Sequence, residues 1–284
     1  MPIDRDLALN HVFPTWEGGY TQDDVILYHL GIGAGNPPTD PGELAYTYEK
    51  DLKVLPTFGM VACPSAGVSP LDLPGIRVDP TRILHGEQVI EVHRPLPPAS
   101  RLRAQVRITD IFDKGKAALV VLETQVGDAA GTPLWSSRMS LFLRGEGGCG
   151  GPRGPDDSQE LPARAPDGVV ETRTLPQQAL LYRLNGDRNP LHCDPDFARR
   201  AGFERPIIHG LCSWGIACKA VCDAALGGDV TRIRRYAARF SGVAFPGETY
   251  LTEFWREDDR ILLQTRAKER GGALILSNAS ITLA

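Results

Sequence analysis

Two kinds of hydrophobic pattern divide the chain into sheet-forming and helix-forming stretches. Four stretches have the apolar alternation or the short apolar runs typical of strands, at residues 102–112, 117–126, 261–267 and 273–282. Residues 211–226 are mostly apolar and end at Gly227-Gly228, as a long buried helix does. These patterns predict an α+β protein with antiparallel sheets and a long helix buried against one of them.

The order of residues also repeats along the chain. Residues 20–37 align with residues 175–190 when two extra residues are allowed in the first copy, and a tyrosine and an Asn-Pro pair recur in both. Such a repeat indicates internal duplication. Residues 145–168 are rich in Gly, Pro and polar residues, which is typical of a linker. We therefore predict a first module at residues 1–144, a linker at 145–168 and a second module at 169–284.

The two copies differ in the segment that follows the repeat. The second copy continues into the apolar stretch 211–226, whereas residues 60–70 of the first copy contain two prolines and a glycine. In a helix interior Pro costs about 3 kcal/mol and Gly about 1 kcal/mol relative to Ala. The long helix is therefore expected only in the second module. Its absence from the first would leave an apolar groove, unless residues 60–80 fill that space themselves.

The amino-acid composition limits the classes of protein to which the chain can belong. The 284 residues are 42% hydrophobic and suit two modules with real cores, and no apolar run is long enough to span a membrane. The formal net charge of −4 argues against a nucleic-acid partner. The six cysteines lack a Cys-x-x-Cys pair, and the amino terminus lacks the basic and apolar segments of a secretory signal. We therefore expect reduced thiols and a cytoplasmic location.

A short loop in the second copy is bounded by helix signals on both sides. The helix-compatible stretch that begins at Pro176 is stopped by Asn185-Gly186, and Asp194-Pro195 is typical of an N-cap followed by a first-turn proline. Between them, Pro190 prevents a continuous helix. The intervening residues are thus predicted to form a turn that is held at both ends.

This turn brings together residue types that perform acid-base chemistry. Asp187, Asn189 and His192 fall within six residues of one another. A rigid turn can hold such side chains around one small volume, as proton transfer to a bound substrate requires. Asp and Asn are equally common as cap and turn residues, so the loop alone leaves a structural role open.

The complete motif is more specific than the loop. The string Tyr182-Arg-Leu-Asn-Gly-Asp-Arg-Asn-Pro-Leu-His192 and the later Pro206-Ile-Ile-His-Gly210 resemble the signature of the (R)-specific, type 2 enoyl-CoA hydratases, also called MaoC-like dehydratases. The match is close over residues 182–210, and the layout of the whole chain resembles the two-module members of the family. The resemblance implies a double hot-dog fold: two antiparallel sheets, with a long central helix only in the C-terminal module.

The resemblance also implies an activity, the hydration of trans-2-enoyl-CoA to (3R)-hydroxyacyl-CoA or the reverse dehydration. Medium, long or bulky acyl chains of fatty-acid or related lipid metabolism are the expected substrates. Asp187 and His192 would hold one water between them, and the sequence leaves open which is base and which is acid. Asn189 would orient the loop or the imidazole. The N–H of Gly210, at the start of the long helix, would stabilise the enolate oxygen.

Five further residues of the second module are expected to line the substrate site: Tyr182, Gly186, Pro190, His209 and Phe240. For His209 we expect packing at the helix entry. The first copy has no carboxylate or imidazole at the matching places within residues 32–39, and it has Phe58-Gly59 in place of His209-Gly210. One active site per chain is therefore expected, in the second module.

Partners and cofactors are expected to be few. Coenzyme A would enter as part of the substrate, and neither a separate cofactor nor a metal is expected. Acyl carrier protein is an alternative carrier of the acyl group, and a homodimer is an expected assembly. The segments around Arg82, residues 84–88 and residues 239–242 resemble strands near the family's substrate channel. No single residue among them is assigned to the phosphates of coenzyme A.

Three other functions remain open from the residues alone. A hot-dog acyl-CoA thioesterase binds a similar thioester, although its acid residue normally lies on or near the central helix rather than in a loop before it. A non-catalytic acyl-thioester binding protein would tolerate the loss of Asp187. A metal site would use the set Asp187, His192, Cys193 and His209, whose spacing matches no familiar zinc pattern.

Overall fold

The described residues of the first half of the chain form five strands and four short α-helices. The computed structural model describes residues 3–69, 72–79, 82–156 and 158–284. The strands of this half are β1 (Trp16–Tyr20), β2 (Ile83–Val92), β3 (Ser100–Asp113), β4 (Ala117–Asp128) and β5 (Pro133–Arg144). Its α-helices are α1 (Arg5–Asn10), α2 (Gln22–Gly31), α3 (Pro41–Thr47) and α4 (Gly59–Ala62). Two 3₁₀ helices flank α4, at Pro56–Phe58 and Pro64–Gly67.

The second half repeats this plan with one long helix. Its strands are β6 (Gly168–Arg173), β7 (Ile233–Phe240), β8 (Thr249–Arg256), β9 (Arg260–Ala267) and β10 (Ala273–Leu283). Its α-helices are α5 (Gln178–Tyr182), α6 (Pro195–Arg200) and α7 (Gly210–Leu226). The 3₁₀ helices lie at Arg183–Asn185, Pro190–His192 and Val230–Arg232. The second module thus begins with a strand at Gly168, one residue inside the predicted linker.

All ten strands belong to one sheet, in the order β1-β3-β4-β5-β2-β7-β10-β9-β8-β6. The two predicted antiparallel sheets are its halves, and they meet edge to edge where β2 pairs with β7 from Glu87↔Arg239 to Glu91↔Arg235. This join between the modules has no local signal in the sequence. It removes two free edges and makes the modules one continuous sheet.

The predicted long helix is present and deeply buried. Helix α7 begins at Gly210 and ends at Leu226, and it is capped by Gly227, whose φ of +64° is the left-handed conformation that favours glycine. Trp214 and Cys218 on this helix have no exposed surface. No helix in the described part of the chain is long and apolar enough to cross a membrane.

The described residues of the first module contain no long helix, as predicted. Helix α4 has four residues and stops before Cys63. An ideal Cβ at Gly59 would lie 3.0 Å from the Ile90 side chain and 3.0 Å from the Trp135 ring, so the segment packs directly on the sheet. Pro70, the end of the segment that the sequence analysis singled out, lies outside the described residues. The acyl groove itself stays a prediction.

The duplicated segments face each other across the centre of the molecule. The equivalent residues Tyr28 and Tyr182 have ring centroids 6.2 Å apart. The Gln178 side chain donates to the carbonyl oxygen of Gly31, and an added Cβ at Gly31 would lie 2.9 Å from the Asn185 amide. Helices α2 and α5 therefore pack closely, which fixes the start of the catalytic-type loop against the first module.

A buried ion pair fastens the central helix to the first module. The Lys219 ammonium lies 2.6 Å from Glu43 Oε1 and 2.9 Å from Asp223 Oδ2, and the Tyr46 hydroxyl donates to Asp223 at 2.8 Å. Burial opposes the charge on Lys219, but the two carboxylates outweigh it and raise the pKa of Lys219 above its usual value. Glu43 also accepts from the Gly35 N–H, so the ion pair holds the loop that follows α2.

Candidate active site

The loop that carries the predicted acid-base residues has the boundaries the sequence indicated. The helical turns before it end at Gly186, which has a φ of +116°. The Asp194 carboxylate accepts from the N–H groups of Asp196 and Phe197 and so caps α6. Within the loop, residues 190–192 form a single 3₁₀ turn that starts at Pro190. Both ends of the loop are therefore held by capping interactions, as predicted.

The structure brings Asp187 and His192 together at the start of the central helix. Asp187 is exposed, and its Oδ1 accepts the N–H of Asn189 at 3.1 Å. His192 is 8% exposed, and its Nδ1 lies 2.9 Å from the carbonyl oxygen of Ile207. Because a carbonyl oxygen only accepts, Nδ1 carries the proton of the neutral ring. The lone pair of the neutral imidazole is therefore on Nε2.

His209 does more than pack at the helix entry. Its ring stacks on that of His192, with centroids 3.6 Å apart and planes 25° apart. Its Nε2 donates to the backbone oxygen of Asp187 at 3.3 Å. A nitrogen of each imidazole and a carboxylate oxygen of Asp187 lie within 4.8 Å of one another. His209 thus touches both members of the pair and fixes their separation.

The environment keeps both imidazoles neutral. Burial lowers the pKa of His192, although the bond to Ile207 and the nearby Asp187 act in the opposite direction. Burial, and then the neighbouring His192, lower the pKa of His209 to about 3. Two stacked rings cannot both be protonated without strong repulsion. The uncharged His192 therefore has a lone pair on Nε2, close to the Asp187 carboxylate, that can accept a proton.

The same three side chains are the one group in the described chain that could surround a metal ion. Cys193, part of the metal set considered from sequence, does not belong to it. A metal ion is bound in the plane of an imidazole ring. Since the rings of His192 and His209 are stacked, an ion in the plane of one would lie far from the plane of the other. The arrangement therefore suits acid-base chemistry better than a metal.

Gly210, the predicted donor to the substrate oxygen, is the first residue of α7. Its N–H consequently has no acceptor within the helix, and it lies at the positive end of the helix dipole. An ideal Cβ at Gly210 would lie 3.1 Å from Phe240 Cε1, so the Phe240 ring covers this position. The predicted site residues Gly210 and Phe240 are therefore in direct contact.

The other predicted residues shape the loop. The Asn189 side chain accepts from the Leu191 N–H at 3.0 Å, so it orients the loop, which is one of its two predicted roles. Tyr182 is buried, its ring lies 4.9 Å from that of His209, and its hydroxyl has no hydrogen-bond partner among the described residues. Gly186 and Pro190 set the backbone at either side of Asp187.

One neighbour of the site was not assigned a role from the sequence. The His85 ring, on β2 of the first module, lies 4.6 Å from the Phe240 ring, and its Nε2 has no partner among the described residues. Gln88, on the same strand, is fully buried. The available signal was two polar residues on an otherwise apolar strand, but only the pairing of β2 with β7 brings His85 to the site.

Comparison with known proteins places this geometry in a family. Residues 19–145 match the MFE-2 hydratase 2 N-terminal domain, and residues 157–276 match the MaoC-like domain. The second match begins inside the segment predicted as a linker. The enoyl-CoA hydratase ChsH3 of Mycobacterium tuberculosis is 48% identical over 99% of both chains. The peroxisomal enoyl-CoA hydratase 2 of Arabidopsis thaliana is 42% identical over 98% of this chain and 96% of its own.

Solved structures agree with the sequence relatives. A MaoC-like dehydratase from Phytophthora capsici superposes with a TM-score of 0.88 at 37% identity, covering 99% of both chains. A Mycobacterium tuberculosis protein described as a double hot-dog fold shares the fold at 13% identity, with a TM-score of 0.61 over 98% of this chain and 97% of its own. The predicted double hot-dog fold is thus confirmed, and the chain belongs to the two-module MaoC-like family of type 2 enoyl-CoA hydratases.

Proposed function

We propose that the protein is a hydro-lyase that adds water to trans-2-enoyl-CoA to give (3R)-hydroxyacyl-CoA, and that it catalyses the reverse dehydration. The observation that carries the proposal is the cluster of a carboxylate oxygen of Asp187 with imidazole nitrogens of His192 and His209, directly before the start of α7 at Gly210. The names of relatives that are 42–48% identical over nearly the whole chain support the same reaction. The (3R) product follows from the family and not from the residues.

The tautomer of His192 suggests how the two acid-base groups divide the work. Nε2 of the neutral ring accepts a proton from a water that the Asp187 carboxylate holds through its other hydrogen. The hydroxide oxygen bonds to the β-carbon, and the double-bond electrons move to the thioester as an enolate. The imidazolium then returns its proton to the α-carbon on the same face. Water therefore adds to one face of the double bond, which is a syn addition. Asp187 and His192 return to their starting protonation states.

The developing enolate needs a donor that is already in place. The Gly210 N–H at the start of α7 is such a donor, and the helix dipole adds to it. The Phe240 ring covers the approach to Gly210, so it is placed to contact the thioester or the atoms next to it. Asn189 acts through the loop by capping the turn that presents His192.

A steady-state assay separates this proposal from its main rival, a hot-dog acyl-CoA thioesterase. With a trans-2-enoyl-CoA as substrate, the double bond should disappear while the amount of free thiol stays constant. Hydration does not break the thioester, whereas hydrolysis releases one thiol for each product. Thiol release equal to the loss of substrate would show that the protein is a thioesterase and not a hydratase. Binding without either change would indicate a non-catalytic acyl-thioester binding protein.

The carrier of the acyl group, the oligomeric state, the cellular location and the size of the acyl chain are further predictions. Use of acyl carrier protein, a homodimer and a cytoplasmic location stay predictions, and the Arabidopsis relative carries a peroxisomal name. A long or bulky acyl chain is supported by the short, interrupted helices at residues 56–67, where the second module has its long helix. Coenzyme A enters as part of the substrate, and the proposed reaction needs no further cofactor.

A further inference from the structure

Helix α2 of the first module contacts both elements that form the active site. The carbonyl oxygen of Gly31, its last residue, accepts from the Gln178 side chain of α5 and from Cys212 Sγ of α7, the latter at 3.5 Å. Helix α5 leads into the acid-base loop, and α7 starts at Gly210. One carbonyl group of the first module is therefore bonded to both halves of the site.

Tyr28, three residues earlier on α2, touches the same two halves. Its ring lies 6.2 Å from the ring of Tyr182, the last residue of α5. On the other side, an ideal Cβ at Gly215 of α7 would lie 2.5 Å from the Tyr28 hydroxyl oxygen. Tyr28 is buried, so these contacts hold its side chain between the two helices.

The Tyr28 hydroxyl explains why residue 215 is a glycine. Gly215 lies in the interior of α7, where glycine is destabilising relative to alanine. Its φ is not positive, so the backbone conformation does not require glycine. The required feature is space: a side chain here would overlap with the Tyr28 oxygen and would approach Ile32 Cγ2 to 2.9 Å. The close approach of α7 to Tyr28 therefore depends on this glycine.

A hydrogen bond inside the first module holds the Tyr28 side chain in place. Its hydroxyl donates to Thr57 Oγ1 at 2.7 Å, and Thr57 is buried in the 3₁₀ helix Pro56–Phe58. The Phe58 ring packs edge-on against the Tyr28 ring, with centroids 5.7 Å apart. Burial raises the pKa of Tyr28 above its ordinary value, so the hydroxyl keeps its proton and donates.

The contacts continue from Tyr28 to the reacting groups by two routes. The Tyr182 ring lies 4.9 Å from that of His209, which stacks on His192 and donates to the backbone oxygen of Asp187. From the contact with Tyr28, five residues of helix lead back to the start of α7, about 7.5 Å along its axis. The acid-base residues and the start of α7 are thus both held against the same tyrosine.

We propose that Tyr28 is a positioning residue for the reaction: anchored by Thr57, it fixes the separation between the Gly210 N–H and the acid-base pair. The inference rests on the proposed function. It gives the module that lacks the acid-base residues a direct part in turnover. Since Tyr28 does not line the cavity beside Phe240, its loss should act on kcat and leave KM unchanged.

Tyr28→Phe removes the hydroxyl and keeps the ring. Its kcat for enoyl-CoA hydration should fall about three- to tenfold at an unchanged KM, the size of effect expected from one hydrogen bond. Thr57→Val removes the acceptor and should give the same loss. The double variant should lose no more than either single variant, because both act through one hydrogen bond.

The matched control is Tyr20→Phe. Tyr20 is also a buried tyrosine of the first module, and its hydroxyl donates to the carbonyl oxygen of Pro97 at 2.7 Å. The substitution removes a comparable hydrogen bond within the first module. It should lower the unfolding temperature about as much as Tyr28→Phe does, but it should keep the wild-type kcat.

Gly215→Ala tests the same contact from the side of the helix. The added methyl group should push α7 away from Tyr28 and lower kcat by about 10- to 100-fold, since a displacement of ~1 Å is enough for such a loss. Tyr28→Phe removes the nearest atom, so Tyr28→Phe/Gly215→Ala should turn over faster than Gly215→Ala alone. The same substitution would thus lower kcat in the wild type and raise it in the Gly215→Ala background.

Circular dichroism at the assay temperature identifies the folded variants. If Gly215→Ala does not fold, Tyr28→Phe and Thr57→Val decide the question. Wild-type kcat in folded Tyr28→Phe, an equal loss in Tyr20→Phe, or a loss confined to KM would overturn the positioning role. Each of these results would leave the proposed function intact, whereas absence of hydration by the wild type would remove both.

Discussion

Asp187→Asn and His192→Ala are each expected to lower kcat for enoyl-CoA hydration by about 100- to 10,000-fold, the usual contribution of a positioned acid or base. Asp187→Asn keeps the size of the side chain and its contact with the Asn189 N–H but removes the charge that holds the water. His192→Ala removes the lone pair that accepts the proton of that water. The measurement is steady-state hydration at saturating substrate.

The control variants replace the same residue types outside the site. Asp196→Asn changes an exposed carboxylate of α6, and His11→Ala changes an imidazole that packs against Phe13, far along the chain from the loop. Both should keep near wild-type turnover. Asp187→Asn should keep the wild-type unfolding temperature, since Asp187 is exposed, whereas His192→Ala should lower it, since His192 is buried and stacks on His209. Circular dichroism at the assay temperature checks that both variants are folded. Near wild-type hydration by either catalytic variant would remove the mechanism proposed above.

The second large effect is expected from the length of the acyl chain. If the short helices at residues 56–67 leave an apolar groove, each further methylene should improve binding by about 0.8 kcal/mol, or about fourfold in kcat/KM, until the groove is full. Long or bulky enoyl-CoAs should therefore be hydrated at least as well as the four-carbon substrate. The measurement is kcat/KM across a series of trans-2-enoyl-CoAs of increasing length.

A preference for long chains and a preference for the four-carbon substrate would each have a structural explanation. Phe58 and Ala62 are buried, and Gly59 lies against Ile90 and Trp135, so the segment occupies part of the space of the missing helix. A profile that peaks at four carbons and collapses beyond six would mean that residues 60–80 fill the rest of it. The prediction of an acyl groove would then be wrong. The hydratase assignment would stand, because the acid-base loop is in the other module.

The local elements were largely predictable from the sequence. Helix α7 follows from a long apolar run that ends in two glycines, and the catalytic-type loop follows from Gly186, Pro190 and the Asp194 cap. In each case the backbone conformation is determined by residues a few positions apart. The missing helix of the first module was predictable for the same reason, since prolines and a glycine interrupt it.

The contacts between distant segments were not predictable in this way. The stacking of His209 on His192 joins residues 17 positions apart through the path of the chain between them. The pairing of β2 with β7 joins strands of different modules and brings His85 to Phe240. The composition of residues 145–168 indicated a linker, but not the hydrogen bonds that hold it to Asp113 and Lys114. Such contacts depend on the assembled sheet and leave little local signal.

The chirality of the product is the sharpest test of a type 2 hydratase site built on Asp187, His192 and the Gly210 N–H. The purified protein is incubated with a trans-2-enoyl-CoA, and the 3-hydroxyacyl group is analysed on a chiral phase against both enantiomers. We expect the (3R) product in large excess and its loss in the Asp187→Asn variant. A predominantly (3S) product would contradict the placement of the substrate against this pair of residues.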